Sequence, residues 1–147
     1  MGWLILYGKG IVMEKSKAVV KYFALTYPWG DVISESRMMK LVFLADWRSA
    51  LRLGRQITEA DWVFGRRGPH SDDILNVIRS TLPESCINIL IAEEKDLLDF
   101  VVRSTSRKSW SELTQLVYST YPLMTKNRFE KLDLISLAKN YMSETLD

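Results

Sequence analysis

The spacing of apolar residues divides the chain into alternating helical and short extended segments. Val19, Val20, Phe23 and Tyr27 recur at helical intervals, with Lys15, Lys17 and Lys21 facing away, which predicts a helix over Glu14–Tyr27. Pro28-Trp29-Gly30-Asp31 stops it. Ser34 is a natural N-cap for a long helix running to Leu53, and Gly54 a natural end to it. The apolar set of this helix runs from Met38 through Leu41, Val42, Phe43, Leu44 and Trp47 to Leu53. It wraps well beyond one stripe, which predicts a central helix touched on several sides.

Further along, Ile57–Ala60 reads as a turn and Asp61–Arg66 alternates as a short strand. Gly68-Pro69 reads as a break. Ser71, Asp72 and Asp73 open a helix to Leu82, ended by Pro83. Ile87–Ile91 reads as a second strand that could pair with the one at Trp62. Helices follow over Glu93–Val102, from Ser109 to Tyr121-Pro122, and over Glu130–Met142. The sum is an α+β fold, mainly α, with five to six helices around a small antiparallel β element. Residues 14–147 form one globular domain, preceded by an apolar N-terminal arm over 1–13.

Composition narrows the function. At 147 residues and 47% hydrophobic, the chain can build a core without covalent staples. Cys86 is the only cysteine and His70 the only histidine, so there is no intrachain disulfide and no zinc ligand set. A reducing, cytoplasmic setting fits. Cys86 reads as a small buried hydrophobe. The apolar run from Met1 to Tyr7 is too short to cross a membrane and lacks the features of a signal peptide. Leu6 stands where myristoylation of Gly2 needs Ser or Thr. No phosphate-binding glycine loop, nucleophile elbow or metalloprotease helix is present, and no cofactor is expected. His70 names no acid–base partner, so an enzyme centred on it is the weakest of the readings.

Net charge is only +2, but it is uneven. Arg37, Lys40, Arg48, Arg52, Arg55, Arg66 and Arg67 stand against Asp46, Glu59 and Asp61, an excess of four positive charges within 37–67. That segment is either a solvated face or a surface for an acidic partner or nucleic acid. Among Trp3, Trp29, Trp47, Trp62 and Trp110, most are expected in the core. Trp47 beside Arg48, and Trp62 near Arg66 and Arg67, are the combinations that anchor protein interfaces or stack on bases.

Three runs carry a resemblance: Lys40-Leu41-Val42-Phe43-Leu44-Ala45-Asp46, Gly54-Arg55-Gln56-Ile57-Thr58, and Trp62-Val63-Phe64-Gly65-Arg66-Arg67-Gly68-Pro69-His70-Ser71. A core helix, a glycine turn, a short strand and a Gly-Pro before a helix resemble the Panacea domain of the SocA-like antitoxins, found in bacteria and phages. The resemblance implies a non-catalytic interaction protein whose partner is a cognate toxin. Some members of the family also act as adaptors delivering a toxin to a bacterial AAA+ protease. The residues expected to meet the partner are Trp47, Arg48, Trp62, Phe64, Arg66, Arg67, Gly68, Pro69 and His70. The alternative is an autoregulatory nucleic-acid-binding protein using segment 37–67. No membrane partner is expected.

Overall fold

A computed structural model describes residues 13–146. The N-terminal arm expected over 1–13 therefore lies outside the described residues except for Met13. Helix α1 spans Glu14–Thr26 and α2 spans Glu35–Leu53. Strands β1 (Trp62–Gly65) and β2 (Gly68–His70) follow. The chain continues through α3 (Asp72–Ile78), α4 (Ala92–Thr105), α5 (Trp110–Tyr118) and α6 (Tyr121–Thr125). It closes with β3 (Lys131–Leu132) and α7 (Leu134–Leu146). The result is the mainly helical α+β architecture expected from the apolar pattern.

Helix α2 is the hub. The Ser34 hydroxyl accepts a hydrogen bond from Arg37 N at 3.1 Å, satisfying one of the donors left open at a helix start. Gly54 closes the helix at φ 73°, a conformation that costs other residues a clash at Cβ. Every residue from Arg37 to Trp47 is buried, because neighbouring elements surround the helix. Phe43 and Leu41 meet Phe23 of α1, Leu98 of α4, Leu113 of α5 and Leu134 of α7 in one core, all of them almost wholly shielded from water.

A charge in this helix fixes the segment that follows it. The Asp46 carboxylate is fully buried. Its Oδ1 accepts from Ile57 N and Thr58 N, both at 3.0 Å. Its Oδ2 accepts from Trp62 Nε1 at 2.9 Å, from Gln56 Nε2 at 3.3 Å and from the Thr58 hydroxyl. Five donors from the Gln56–Trp62 stretch thus converge on one helix residue, and the turn wraps around it. Burial pushes this carboxyl up to about 6, while the bonds from Thr58, Trp62 and Ile57 pull the other way.

The sheet order is β2-β1-β3, with both pairings antiparallel. Two expectations are corrected here. Ile87–Ile91 is not a strand; Glu84–Ile89 forms a 3₁₀ turn against α1. Both edges of β1 are already taken, by β2 and by Lys131–Leu132, so no edge is left for it. Gly68-Pro69 is not a simple break but the body of β2. Pro69 is tolerated because β2 is an edge strand, where a missing N–H breaks no ladder.

Two helices also differ in extent. The helix after Ser71 ends at Ile78 rather than Leu82, and the Ser80 hydroxyl turns back onto Val77 O at 2.6 Å. The last helix begins at Leu134 rather than Glu130, with the Asp133 carboxylate accepting from Ser136 N at 3.1 Å. The helix expected to stop at Tyr121-Pro122 already ends at Tyr118, and Pro122 instead sits in the first turn of α6, where its fixed φ suits a helix start.

Lys15 does not simply face solvent. Its Nζ lies 2.6 Å from Glu94 Oε1, and Arg55 reaches Glu94 Oε2 at 3.0 Å. Glu94 also accepts from Ile91 N at 3.0 Å at the start of α4. Burial works to raise this carboxyl, but Lys15, the Ile91 amide and Arg55 together hold it below the usual range. One buried carboxylate thereby joins α1, the Gly54 turn and α4. Cys86 is half-buried rather than buried, with its thiol directed to Lys17 O at 3.7 Å.

Candidate functional site

The β1–β2 hairpin gathers most of the residues expected to meet a partner. Val63 faces His70, Phe64 faces Pro69 and Gly65 faces Gly68. Arg66 and Arg67 form the tip, and both are exposed. Gly68 has φ 113°, which L side chains rarely adopt. It lets the chain return along β1, as a glycine after a hairpin turn commonly does.

The hairpin is held from below, beneath its tip. Lys40 of α2 is 4% exposed, and its Nζ donates to Arg67 O at 3.2 Å. The same ammonium lies 4.5 Å from the centroid of the Trp110 ring. Burial depresses its pKa. Phe64 packs edge-on against Tyr118 at 5.9 Å, and Trp62 against Phe43 at 5.5 Å.

Residues 127–130 hold the other side. Phe64 N donates to Glu130 O at 2.9 Å and Phe129 N donates to Phe64 O at 2.6 Å. Arg128 Nη1 donates to Gly65 O at 3.1 Å and also to Arg66 O. Phe129 stands at φ 73°, the only non-glycine residue with positive φ among the described residues, and it is 73% exposed. A bulky side chain in that region of backbone space is costly and is kept only where its surroundings enforce it.

Between the hairpin, the start of α2 and α3 lies an open cleft of about 430 Å³. Lys40, Arg66, Arg67, His70 and Arg79 line it, with Glu35 as its one acidic residue. Glu35 is already engaged: Arg79 Nε and Nη2 donate to its two oxygens at 2.9 and 3.1 Å. That pairing holds the Glu35 carboxyl below its ordinary range. His70 Nε2 lies 2.8 Å from Asp72 Oδ1, an exposed contact of small energetic weight. The Ser71 hydroxyl beside them caps α3, accepting from Ile74 N at 3.3 Å. The cleft presents positive charge, with Arg66 and Arg67 free of any carboxylate partner among the described residues.

The expected contact set therefore divides. Arg66, Arg67, Gly68, Pro69 and His70 lie together in the hairpin, with Arg66 and Arg67 exposed at the tip and Gly68 and Pro69 buried behind it. Trp62 and Phe64 point into the core at 2% and 6% exposure and support the hairpin from inside. Trp47 is interior too, stacked on Tyr121 with ring planes 7° apart and edge-on to Tyr141. Arg48 belongs to a different groove. Among the tryptophans, Trp29 is half-buried, Trp110 is 48% exposed, and Trp3 lies outside the described residues.

The basic segment 37–67 is not one surface. Arg37 and Lys40 are interior, Arg48 is half-buried, and Arg55 is engaged with Glu94. Arg128 and Phe129 extend the hairpin surface and were not anticipated. They lie more than sixty residues along the chain from Arg66, where no local pattern joins them. Their sequence signal is slight: an aromatic residue between two charges just ahead of an amphipathic helix.

Among the described residues no group of three His, Cys, Asp or Glu could hold a metal ion, and no helix is long and apolar enough to cross a membrane. No curated protein and no solved structure gives a significant match. A family model does: that of the antitoxin SocA-like, Panacea domain matches residues 38–122, from the first turn of α2 to the start of α6. The match covers more than half of the chain and contains the whole hairpin and most of its cleft, and the protein thus belongs to the SocA-like antitoxin family with a Panacea domain.

Proposed function

We propose that the protein neutralises a cognate toxin by binding it, without catalysis, and that the arginine hairpin is the primary contact. The observation that carries this reading is the tip itself. Arg66 and Arg67 project unpaired from a hairpin fixed by Lys40, Arg128 and the edge-on Phe64–Tyr118 contact. Arginines on a preordered support lose little freedom on binding, and they form bidentate bonds with carboxylates. Phe129 adds an exposed aromatic side chain of the kind found at the centre of interfaces. The matching toxin surface is acidic around an apolar pocket. The cytoplasm is the expected site of action.

The test begins with the tagged protein expressed at native level in its source organism. One small protein should co-purify in stoichiometric amount, and that protein should arrest growth when expressed alone. Arg66→Glu with Arg67→Glu should abolish rescue from the toxin while leaving the urea midpoint unchanged. Undiminished rescue by the double variant removes the hairpin from the reading. Recovery of nucleic acid alone, in a salt-dependent complex, replaces the antitoxin reading with the autoregulatory one. An AAA+ protease recovered with the toxin makes the protein an adaptor as well.

A further inference from the structure

A second groove, of about 510 Å³, runs between α2, α4 and α5. Leu44, Leu51, Phe100 and Leu116 supply its apolar walls, and Arg48 and Lys108 supply charge. It shares no lining residue with the hairpin cleft. No acidic residue lines it.

Arg48 is the unusual member. Its guanidinium lies 3.5 Å from the centroid of the Phe100 ring. Its Nε is shielded from solvent and has no hydrogen-bond partner. Only one other buried side-chain atom among the described residues shares that condition, Thr114 Oγ1, and Thr114 does not line the groove. Burial, and then the like charge of Arg52 one turn away, both work against the charge of Arg48. A guanidinium has five donors and stays ionised in proteins. A shielded donor without an acceptor is costly, and natural proteins leave few of them. Among the described residues none supplies a carboxylate to this cation, and much of the surrounding surface is apolar.

We infer that this groove is a peptide site, taking a segment of a partner protein in which aliphatic or aromatic side chains flank a carboxylate, with Arg48 as the anchor. The carboxylate meets the open donors of Arg48, and the flanking side chains cover Leu44, Leu51 and Phe100. Charge complementarity selects this occupant. Residues 1–12 are apolar enough to lie on such walls, but they contain Lys9 and no Asp or Glu, so they bring no countercharge to Arg48. The site is separate from the hairpin contact, and its test does not depend on the toxin.

The probe is a displayed library of random peptides selected on the full-length protein at moderate salt. Enriched peptides should carry Asp or Glu beside Leu, Phe or Trp. A synthetic copy of the leading peptide should lose about tenfold or more in affinity when its carboxylate is replaced by an amide, or when it meets Arg48→Gln. Phe100→Ala should weaken it through the apolar wall alone. Arg66→Glu with Arg67→Glu should leave it unchanged. Three results would overturn the inference: no enrichment, enrichment without acidic residues, or equal affinity for Arg48→Gln and the wild type. Displacement of the peptide by a synthetic copy of residues 1–12 at lower concentration would give the groove to the chain's own N-terminal segment instead, and would equally overturn it.

Discussion

Arg37 and Arg48 stand on the same helix, three turns apart, and are treated in opposite ways. Arg37 is 5% exposed, yet its Nε and Nη2 both find acceptors. Its Nη2 donates to Thr105 O at 2.9 Å, Lys108 O at 2.8 Å and Tyr27 Oη at 3.1 Å. Its flat face covers Trp29 at 4.5 Å. The last carbonyls of α4 are where a cation is most welcome on a helix. Arg48 is less deeply buried, stacks on Phe100, and its shielded Nε finds no acceptor among the described residues. The first arginine completes the fold and the second leaves it incomplete. The lesson is that burial alone does not sort structural charge from functional charge; the count of acceptors does.

That contrast can be broken by experiment. The largest expected effect is on Arg37. Arg37→Met leaves Lys108 O without its donor and takes one partner each from Thr105 O, which keeps Lys108 N, and from the Tyr27 hydroxyl, which keeps Thr105 Oγ1; it should cost about 2 kcal/mol in urea unfolding. Asp46 comes next, a buried charge on the same helix that has all its partners but still bears the cost of burial. Its carboxyl lies near 6 in the folded protein against 3.8 ordinarily, so the folded state binds its proton more tightly than the unfolded chain. The associated stability is fully present below about 4 and is lost as pH rises through about 6. Between pH 7 and pH 5 stability should therefore rise by about 1 kcal/mol. A carboxyl-carbon NMR titration should place the midpoint on Asp46. The smallest effect is on Arg48. Arg48→Met should change stability by less than about 1 kcal/mol, with stabilisation as the direction expected for removing an unpaired, partly buried charge. If Arg48→Met costs as much as Arg37→Met, the distinction between the two arginines collapses.

These differences also explain what could be read from the chain. Ser34, the apolar wrap of α2 and Gly54 were legible because caps and helical periodicity act within a few residues. The hairpin was half legible. Trp62–Gly65 alternates, but β2 is hidden behind Gly68-Pro69, whose composition reads as a break until the edge position is known. The two-residue β3 carries no periodicity of its own. Charged residues misled most. Arg37, Lys40 and Asp46 read as surface, since such residues are rarely buried, and their partners lie 10–71 residues away. The pairing of Glu94 with Lys15 and Arg55 was out of reach for the same reason. At the candidate site, Arg66, Arg67 and His70 were legible as neighbours flanking the Gly68-Pro69 break. The inward turn of Trp62 and Phe64, and the arrival of Arg128 and Phe129, depend on the sheet.

Strand β3 has a consequence for dissection of the protein. Its two residues close the outer edge of β1, and they lie beyond the span shared with the family. A fragment trimmed to residues 38–122 would lose β3 and α1 together. It would present the β1 edge as an open template, with Trp62 and Phe64 beside it and part of the core uncovered. Unpaired edges of that kind recruit other chains, so such a fragment should self-associate into aggregates. The matched span therefore leaves out elements that close the sheet and cover its core.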